Sequence, residues 1–294
     1  MTHLKQYAMS HKPILSHDGP IGVFDSGYGG LTILQQMQKR LPQYDYIYLG
    51  DNARAPYGTR SFDIVCQFTL QAVEHLFSLG CPLVILACNT ASAKALRSIQ
   101  QNNLPSIDPS RRVLGVIRPT AEAIGTISQN GHIGLLATPG TVRSHSYEME
   151  IEKLYPGYKT TALECPMLVP LVENREHTSP GADYFVEKYV NQLLCADPLI
   201  DTVILGCTHY PLLEHKIKEA INRLAPNRHI NVVCQGILTA ESLADYLHRH
   251  PEMDQRLLKN ASTQYLTTEN PETFSTLASM FMDAKVAARR TIIN

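Results

Sequence analysis

Two cysteines in this sequence have matching surroundings, each directly after a short apolar run and before a segment that can begin a helix. Cys88 lies in LACNTAS (86–92), and Cys207 lies in LGCTHYP (205–211). The runs at 82–86 and 201–205 have the β-branched character of buried parallel strands. At a helix start, unpaired amide hydrogens and the helix dipole favour an anion. We therefore expect both cysteines to hold thiolate near neutral pH.

A pair of equivalent thiols suits a reaction that removes a proton from one face of a carbon and adds one to the other face. The reverse reaction exchanges acid and base, so one thiol is protonated while the other is not. Either cysteine alone would more simply be a small buried residue. The matched contexts favour a catalytic pair, whereas the remaining cysteines lack such a context and are interpreted as structural: Cys66, Cys81, Cys165, Cys195 and Cys234.

Three further ionisable side chains are candidates for the same chemistry. Asp25 begins the glycine-rich segment DSGYGG (25–30) and could bind a substrate ammonium or influence a thiol, although an Asx-turn or helix cap explains it equally well. His209 follows Cys207 by two residues and is close enough to exchange a proton with it. Glu173 could assist in the same way or be an ordinary surface glutamate. The glycines fit neither the dinucleotide fingerprint nor the P-loop, so we expect no nucleotide.

Composition excludes several functional classes. The 294 residues carry a formal net charge of -1, which provides no basic field for nucleic acid. The first residues lack the apolar core of a signal peptide, and no apolar run approaches the roughly 18 residues of a membrane span. None of the seven cysteines has the short spacing of metal sites. We expect a cytoplasmic protein with reduced thiols, no metal, and no nucleic-acid or membrane partner.

Strands and helices alternate along the chain, which predicts an α/β fold with parallel sheets and right-handed crossovers. Helices are predicted at 31–41, 62–79 and 271–282. The predicted strands are 21–24, 46–49, 82–86, 113–117, 133–136, 160–163, 201–205 and 264–267. We expect two similar domains, each a mainly parallel sheet flanked by helices. Ligands bind beyond the carboxyl ends of such strands, so Cys88 should face Cys207 across a cleft between the domains.

The domain boundaries follow from this pattern. Residues 1–20 have little periodicity and are interpreted as an N-terminal extension. The first α/β domain is predicted to comprise 21–112 plus 234–294, because the final segment is expected to return to the first half. The second domain is predicted at 113–233.

Five motifs, in order between about residues 21 and 282, resemble those of the glutamate racemases within the aspartate/glutamate racemase group. They are GVFDSGYGGLT (22–32), DNARAPYG (51–58), ACNTAS (87–92), TPGTV (138–142) and GCTHYP (206–211). The resemblance implies a two-domain enzyme that needs no cofactor, interconverts L- and D-glutamate, and supplies D-glutamate for peptidoglycan.

The resemblance also implies residue roles. Cys88 would take the α-proton from D-glutamate and Cys207 that from L-glutamate. Asp25 would tune Cys88, while His209 would tune Cys207 with Glu173 as its partner. The substrate would be held mostly by neutral donors, at Asp25, Ser26, Tyr57, Gly58, Asn89, Thr90, Thr138, Thr208 and His209.

Some features depart from the family pattern or leave alternatives open. Ala137 and Arg118 replace a frequent glycine and a frequent acidic residue, which would alter the pocket wall. Members with an extended N-terminus can be activated by a peptidoglycan precursor, so such an activator and a homodimer are candidate partners.

An aspartate racemase is the near alternative, disfavoured by His209. A non-catalytic binder of acidic amino acids would share the cleft but not the chemistry. Some members inhibit DNA gyrase, but nothing in this sequence marks a surface for that role.

Overall fold

A computed structural model of the protein describes residues 18–293. The predicted N-terminal extension lies outside these residues except for its last three. Gly19 already belongs to the fold, because it pairs in parallel with Leu257 and its amide donates to the carbonyl of Arg256 at 2.9 Å. The fold therefore begins slightly before Ile21.

The described residues contain strands that form two sheets. In chain order these are β1 Ile21–Asp25, β2 Tyr46–Gly50, β3 Leu83–Leu86, β4 Arg112–Gly115, β5 His132–Ala137, β6 Lys159–Glu164, β7 Thr202–Gly206, β8 Asn231–Val233, β9 Thr263–Thr267 and β10 Ala288–Arg290. The larger sheet has the order β10-β9-β2-β1-β3-β4, and the smaller has the order β6-β5-β7-β8. Every strand pair in both sheets is parallel. The predicted α/β class with parallel sheets is confirmed.

Helices connect these strands. The α-helices are α1 Leu31–Arg40, α2 Phe62–Ser78, α3 Asn89–Ser98, α4 Leu104–Ile107, α5 Ile117–Ile127, α6 Pro139–Val142, α7 Ser146–Leu154, α8 Leu168–Glu173, α9 Pro180–Ala196, α10 Glu214–Leu224, α11 Gln235–Arg249, α12 Pro251–Asp254 and α13 Pro271–Met282. A π-helical turn, Ile99–Asn103, follows α3, and 3₁₀ turns lie at Asn52–Arg54 and Tyr210–Leu213. Within 18–293, no helix is both long and apolar enough to cross a membrane.

The central strands are continuous apolar runs because helices cover both faces of each sheet. Every residue of β1, β3 and β7 is buried, so their side chains pack on both sides. The strand predicted at 264–267 is β9, and it pairs with β2. The carboxyl ends of the central strands are thereby held in fixed register, and the loops beyond them carry the polar motifs.

One predicted strand is wrong in its extent. The sequence suggested a strand at 113–117, but β4 ends at Gly115 and α5 begins at Ile117. The apolar pair Val116 and Ile117 resembles strand sequence. Pro119, however, falls in the first turn of α5, where a missing amide hydrogen does no harm and a helical φ is already set.

The sheets suggest where the chain divides. β4 pairs with β3 in the larger sheet, although residues from 113 onward had been placed in the second domain. β8 belongs to the smaller sheet, whereas β9 and β10 belong to the larger one. We propose that the first domain comprises residues up to 115 together with those from 234, and that 116–233 form the second.

Candidate active site

A cavity of about 290 Å³ lies where the carboxyl ends of the two sheets meet. Cys88 follows β3 by two residues, and Cys207 directly follows β7. Both thiols line this cavity. So do all the other residues predicted for the site except Asp25: Ser26, Tyr57, Gly58, Asn89, Thr90, Thr138, Glu173, Thr208 and His209.

Cys88 caps α3 itself. Its sulfur accepts the Ala91 amide hydrogen at 3.5 Å. The Cys88 thiol donates to the Ser26 hydroxyl oxygen at 3.5 Å. Burial, and then the nearby Asp25 carboxylate, raise the pKa of Cys88 to about 12. The expectation of thiolate near neutral pH is therefore wrong for Cys88, because one amide and one hydroxyl do not offset the loss of solvent.

Cys207 has a different environment. The residues after it form the 3₁₀ turn Tyr210–Leu213, and α10 begins only at Glu214, so the α-helix expected directly after Cys207 is not observed. The sulfur instead lies 3.8 Å from Nδ1 of His209. The Cys207 sulfur thus faces an imidazole two residues along the chain.

His209 is held between Cys207 and Glu173. Its Nε2 lies 2.9 Å from the Glu173 carboxylate, a contact that the resemblance implied. Burial alone would lower the pKa of His209, but the sulfur of Cys207 and the carboxylate of Glu173 outweigh it and raise the pKa to about 10. The ring is therefore an imidazolium at neutral pH, with its charge directed at the Cys207 sulfur.

Close packing fixes this imidazolium. A Cβ at Gly29 would lie 2.5 Å from Nδ1 of His209 and 2.2 Å from the Thr208 hydroxyl, so only glycine fits there. On another side, the ring of Phe281 in α13 meets the imidazole edge-on, with centroids 5.6 Å apart. The glycine-rich turn after β1 therefore admits the histidine rather than cradling a phosphate.

Asp25 lies behind the cavity rather than in its wall. The side chain is fully buried, accepts from the Gly27 amide at 2.9 Å, and accepts from the Thr208 hydroxyl at 3.4 Å. Burial raises the pKa of Asp25, and the charge of His209 opposes the rise. Asp25 thus lies between the residues that surround Cys88 and those that surround Cys207. Its carboxylate is not exposed in the cavity and is connected to it by the hydrogen bond from Thr208.

Several hydroxyl groups line the remaining wall beside apolar residues. Tyr57 donates to the buried carboxylate of Asp51 at 2.5 Å, which fixes the phenol. The hydroxyls of Thr90 and Thr138 lie 3.0 Å apart, and the Gly140 amide donates to the Gly58 carbonyl at 2.7 Å. Loops from both sheets therefore meet at this end of the cavity.

Among the described residues that line the cavity, none is a lysine or an arginine. Arg118 is half exposed in α5 and pairs with Glu122 and Glu150, and Ala137 ends β5. Neither residue lines the cavity, so the expected effect of these two departures on its wall is not observed. Within 18–293, no group of three or more His, Cys, Asp or Glu side chains is arranged to hold a metal ion.

A third thiol lines the cavity and was not among the residues predicted for the site. Cys165 directly follows β6 and lines the cavity, although it had been interpreted as merely structural. Its thiol is buried, and burial raises its pKa. The signal was present in the sequence, because Cys165 follows a predicted strand as Cys88 and Cys207 do. It lacks a polar helix start afterwards, since Pro166 comes next.

Comparison with known proteins adds a decisive observation. A sequence profile described as Asp/Glu/Hydantoin racemase matches residues 30–236, more than half of the chain. The chain belongs to this racemase family. A glutamate racemase of Ruegeria pomeroyi is 41% identical over 277 residues, covering 90% of this chain and 97% of the relative. One of Paracoccus denitrificans is 41% identical over 273 residues, covering 89% of this chain and 96% of the relative.

Solved structures agree with the sequence relatives. Glutamate racemase RacE1 of Bacillus anthracis has a TM-score of 0.81 at 33% identity, covering 94% of this chain and 99% of that one. The Francisella tularensis enzyme in complex with D-glutamate has a TM-score of 0.80 at 29% identity, covering 94% and 98%. The resemblance to glutamate racemases is confirmed, and this family member is an isomerase that acts on glutamate.

Proposed function

We propose that the protein interconverts L- and D-glutamate without a cofactor, using Cys88 and Cys207 on opposite faces of the substrate's α-carbon. The observation that carries this proposal is the single cavity lined by both thiols, one from each sheet. The Francisella relative binds D-glutamate, which supports placing the amino acid in this cavity.

The unequal surroundings of the thiols support a starting state with one acid and one base. The His209 imidazolium lies 3.8 Å from the Cys207 sulfur, so its positive charge can stabilise negative charge on a base at this position. Cys88, with a pKa of about 12, stays protonated. The Cys207 thiolate then removes the α-proton of L-glutamate, and the Cys88 thiol gives its proton to the opposite face. D-glutamate forms, and the two sulfurs have exchanged roles for the reverse reaction.

The polar wall would stabilise the intermediate of this reaction. Removing the α-proton moves negative charge toward the α-carboxylate, and fixed hydroxyl and amide donors stabilise such developing charge. Because these donors are neutral, they do not hold the ground state as strongly as a lysine or arginine would. Asp25 acts through Thr208, and Tyr57 is oriented by Asp51.

The cellular role follows from the family. We propose that the product is D-glutamate for peptidoglycan, made in the cytoplasm, where free thiols stay reduced. The described cysteines are all unpaired, in keeping with that compartment. The Escherichia coli relative, at 25% identity and a TM-score of 0.69, has been solved with L-glutamate and the activator UDP-MurNAc-Ala. An activator of that class and a homodimer remain predictions for this protein.

Alanine variants of the two thiols test the proposal. We expect Cys88→Ala and Cys207→Ala each to lower racemisation by about 10²- to 10⁴-fold, the usual contribution of a proton-transfer group. Cys81→Ala is a matched control, because Cys81 is equally buried, has a pKa raised to about 12, and lies outside the cavity wall. Normal racemisation in either active-site variant would refute the two-thiol mechanism. Turnover of aspartate alone would refute the substrate.

A further inference from the structure

Three buried polar side chains behind Cys88 form a closed ring of hydrogen bonds, here called the amide ring: Asn89, Tyr147 and Gln235. The Tyr147 hydroxyl donates to Oδ1 of Asn89 at 2.6 Å, and Nδ2 of Asn89 donates to Oε1 of Gln235 at 2.6 Å. Nε2 of Gln235 completes the ring by donating to the Tyr147 hydroxyl. All three residues are at most 3% exposed.

The direction of every bond in the amide ring is fixed from outside it. The hydroxyl of Thr120 donates to the Val116 carbonyl at 2.9 Å, so it can only accept from Gln235 Nε2, which lies 3.0 Å away. This contact sets which end of the Gln235 amide is the nitrogen. Its oxygen must then face Nδ2 of Asn89, and Oδ1 of Asn89 must face Tyr147.

This arrangement determines what Asn89 can offer a ligand. Its carbonyl oxygen is occupied by Tyr147, while its nitrogen carries two hydrogens, of which Gln235 takes one. Asn89 also lines the cavity, next to Cys88. Breaking any bond of the ring leaves a buried polar group without a partner, so the amide is held firmly in one orientation.

We propose that Tyr147 and Gln235 are positioning residues, which orient Asn89 so that its second Nδ2 hydrogen donates to a substrate carboxylate. Neither residue lines the cavity, and each acts through Asn89. They come from α7 and α11, so helices distant in sequence set the donor beside Cys88. This inference rests on the proposed binding of glutamate in the cavity, but not on which groups move the proton.

Tyr147→Phe tests the proposal, with the Michaelis constants measured in both directions. Without the hydroxyl, the Asn89 amide is free to turn, and we expect KM to rise about tenfold for both isomers while kcat changes less than about twofold. Tyr46→Phe is a matched control that removes another buried hydroxyl, one bonded to the Leu41 carbonyl at 2.9 Å and remote from the cavity wall. We expect its KM to stay unchanged. Equal KM effects in the two variants would overturn the proposal.

A double-mutant cycle separates positioning from general destabilisation. In the Asn89→Ala background, Tyr147→Phe should raise KM no further, because the group that it orients is gone. Full additivity would overturn the proposal. Gln235→Leu breaks the amide ring at a different residue, and we expect the same rise in KM. This variant provides the test if Tyr147→Phe folds poorly. Loss of racemisation in the cysteine variants is a separate readout, so failure of the amide ring and failure of the two-thiol mechanism are distinguishable.

Discussion

At the scale of single residues, the two thiols differ because their neighbours differ. Cys88 has one amide, one hydroxyl and a buried carboxylate nearby, and it remains a thiol. Cys207 has an imidazolium whose positive charge depends on Glu173. The proposed mechanism needs one acid and one base at the start of each turnover, and these unequal surroundings are the basis for assigning them to Cys88 and Cys207.

Glu173→Gln should show how much of this inequality depends on the carboxylate. The pKa of His209 is raised to about 10, so the imidazolium is present at neutral pH and is lost as the pH rises through that value. Without the Glu173 charge the pKa falls, and the alkaline loss of kcat/KM should begin about one pH unit lower for either isomer. The stability that the charged histidine contributes, complete below about pH 6.5, should also be lost at lower pH.

The control for that experiment is Glu150→Gln. Glu150 also pairs with a cation, Arg118, but lies outside the cavity wall. Its pH profile should match that of the unaltered protein. An unchanged alkaline limb in Glu173→Gln would contradict the assigned role of the carboxylate.

At the residue scale, the candidates that the structure brings to the cavity could be predicted where the signal was local. Cys88, Cys207 and His209 stand within or beside strand ends that short windows of sequence reveal. The protonation of Cys88 was not predictable, because it depends on burial and on Asp25, which is 63 positions away (88 minus 25). The contacts of Tyr147 and Gln235 were not predictable for the same reason, since their hydrogen bonds to Asn89 span 58 and 146 positions.

At the scale of elements, the turn between β1 and α1 determines how closely the histidine approaches. Gly29 lies in this turn, against Thr208 and His209 on the segment that follows β7. The glycines are visible in the sequence, but Gly29 must be a glycine because of its contact with residues that follow a strand of the other sheet. The central strands were predicted well because buried parallel strands are apolar throughout. β8 and β10, which are three residues long and partly exposed, were not predicted. Another error concerned the end of β4, where Pro119 belongs to a helix.

Gly29→Ala should therefore damage the site more than the fold. The added methyl would displace His209 and Thr208, and we expect racemisation to fall by about 10²-fold, as for a misplaced catalytic group. The free energy of unfolding should fall by about 1–3 kcal/mol. Gly181→Ala, in the first turn of α9 with only the Ser179 hydroxyl oxygen at 3.4 Å, is the control and should leave activity unchanged. Full activity in Gly29→Ala would show that the close approach is not needed.

At the scale of the whole molecule, the proposed substrate site belongs to neither sheet alone. Segments that follow strands of both sheets meet at the cavity, where Gly58 contacts Gly140 and Thr90 contacts Thr138. A ligand that reaches both sides should therefore stabilise the entire protein. The two sheets were predictable from the alternation of strands and helices, whereas the closeness of their loops was not.

Glutamate should raise the melting temperature of the protein in a single shifted transition. At a concentration 100 times its dissociation constant, a ligand adds about 2.7 kcal/mol to the stability of the folded state. Aspartate, which is one methylene shorter, cannot reach both walls equally well and should give a smaller shift at the same concentration. Equal shifts for the two amino acids would contradict a cavity matched to glutamate.

Solvent deuterium incorporation tests the central claim most directly. When L-glutamate is converted in heavy water, the acid on the far face carries a solvent-derived deuteron, while the abstracted proton stays on the other sulfur. At early times, the D-glutamate formed should carry deuterium at its α-carbon, and the remaining L-glutamate should carry almost none. The same pattern should hold from D-glutamate. Early product that retains the substrate's own hydrogen would show that one base serves both faces, and it would contradict the assignment of Cys88 and Cys207 to opposite faces.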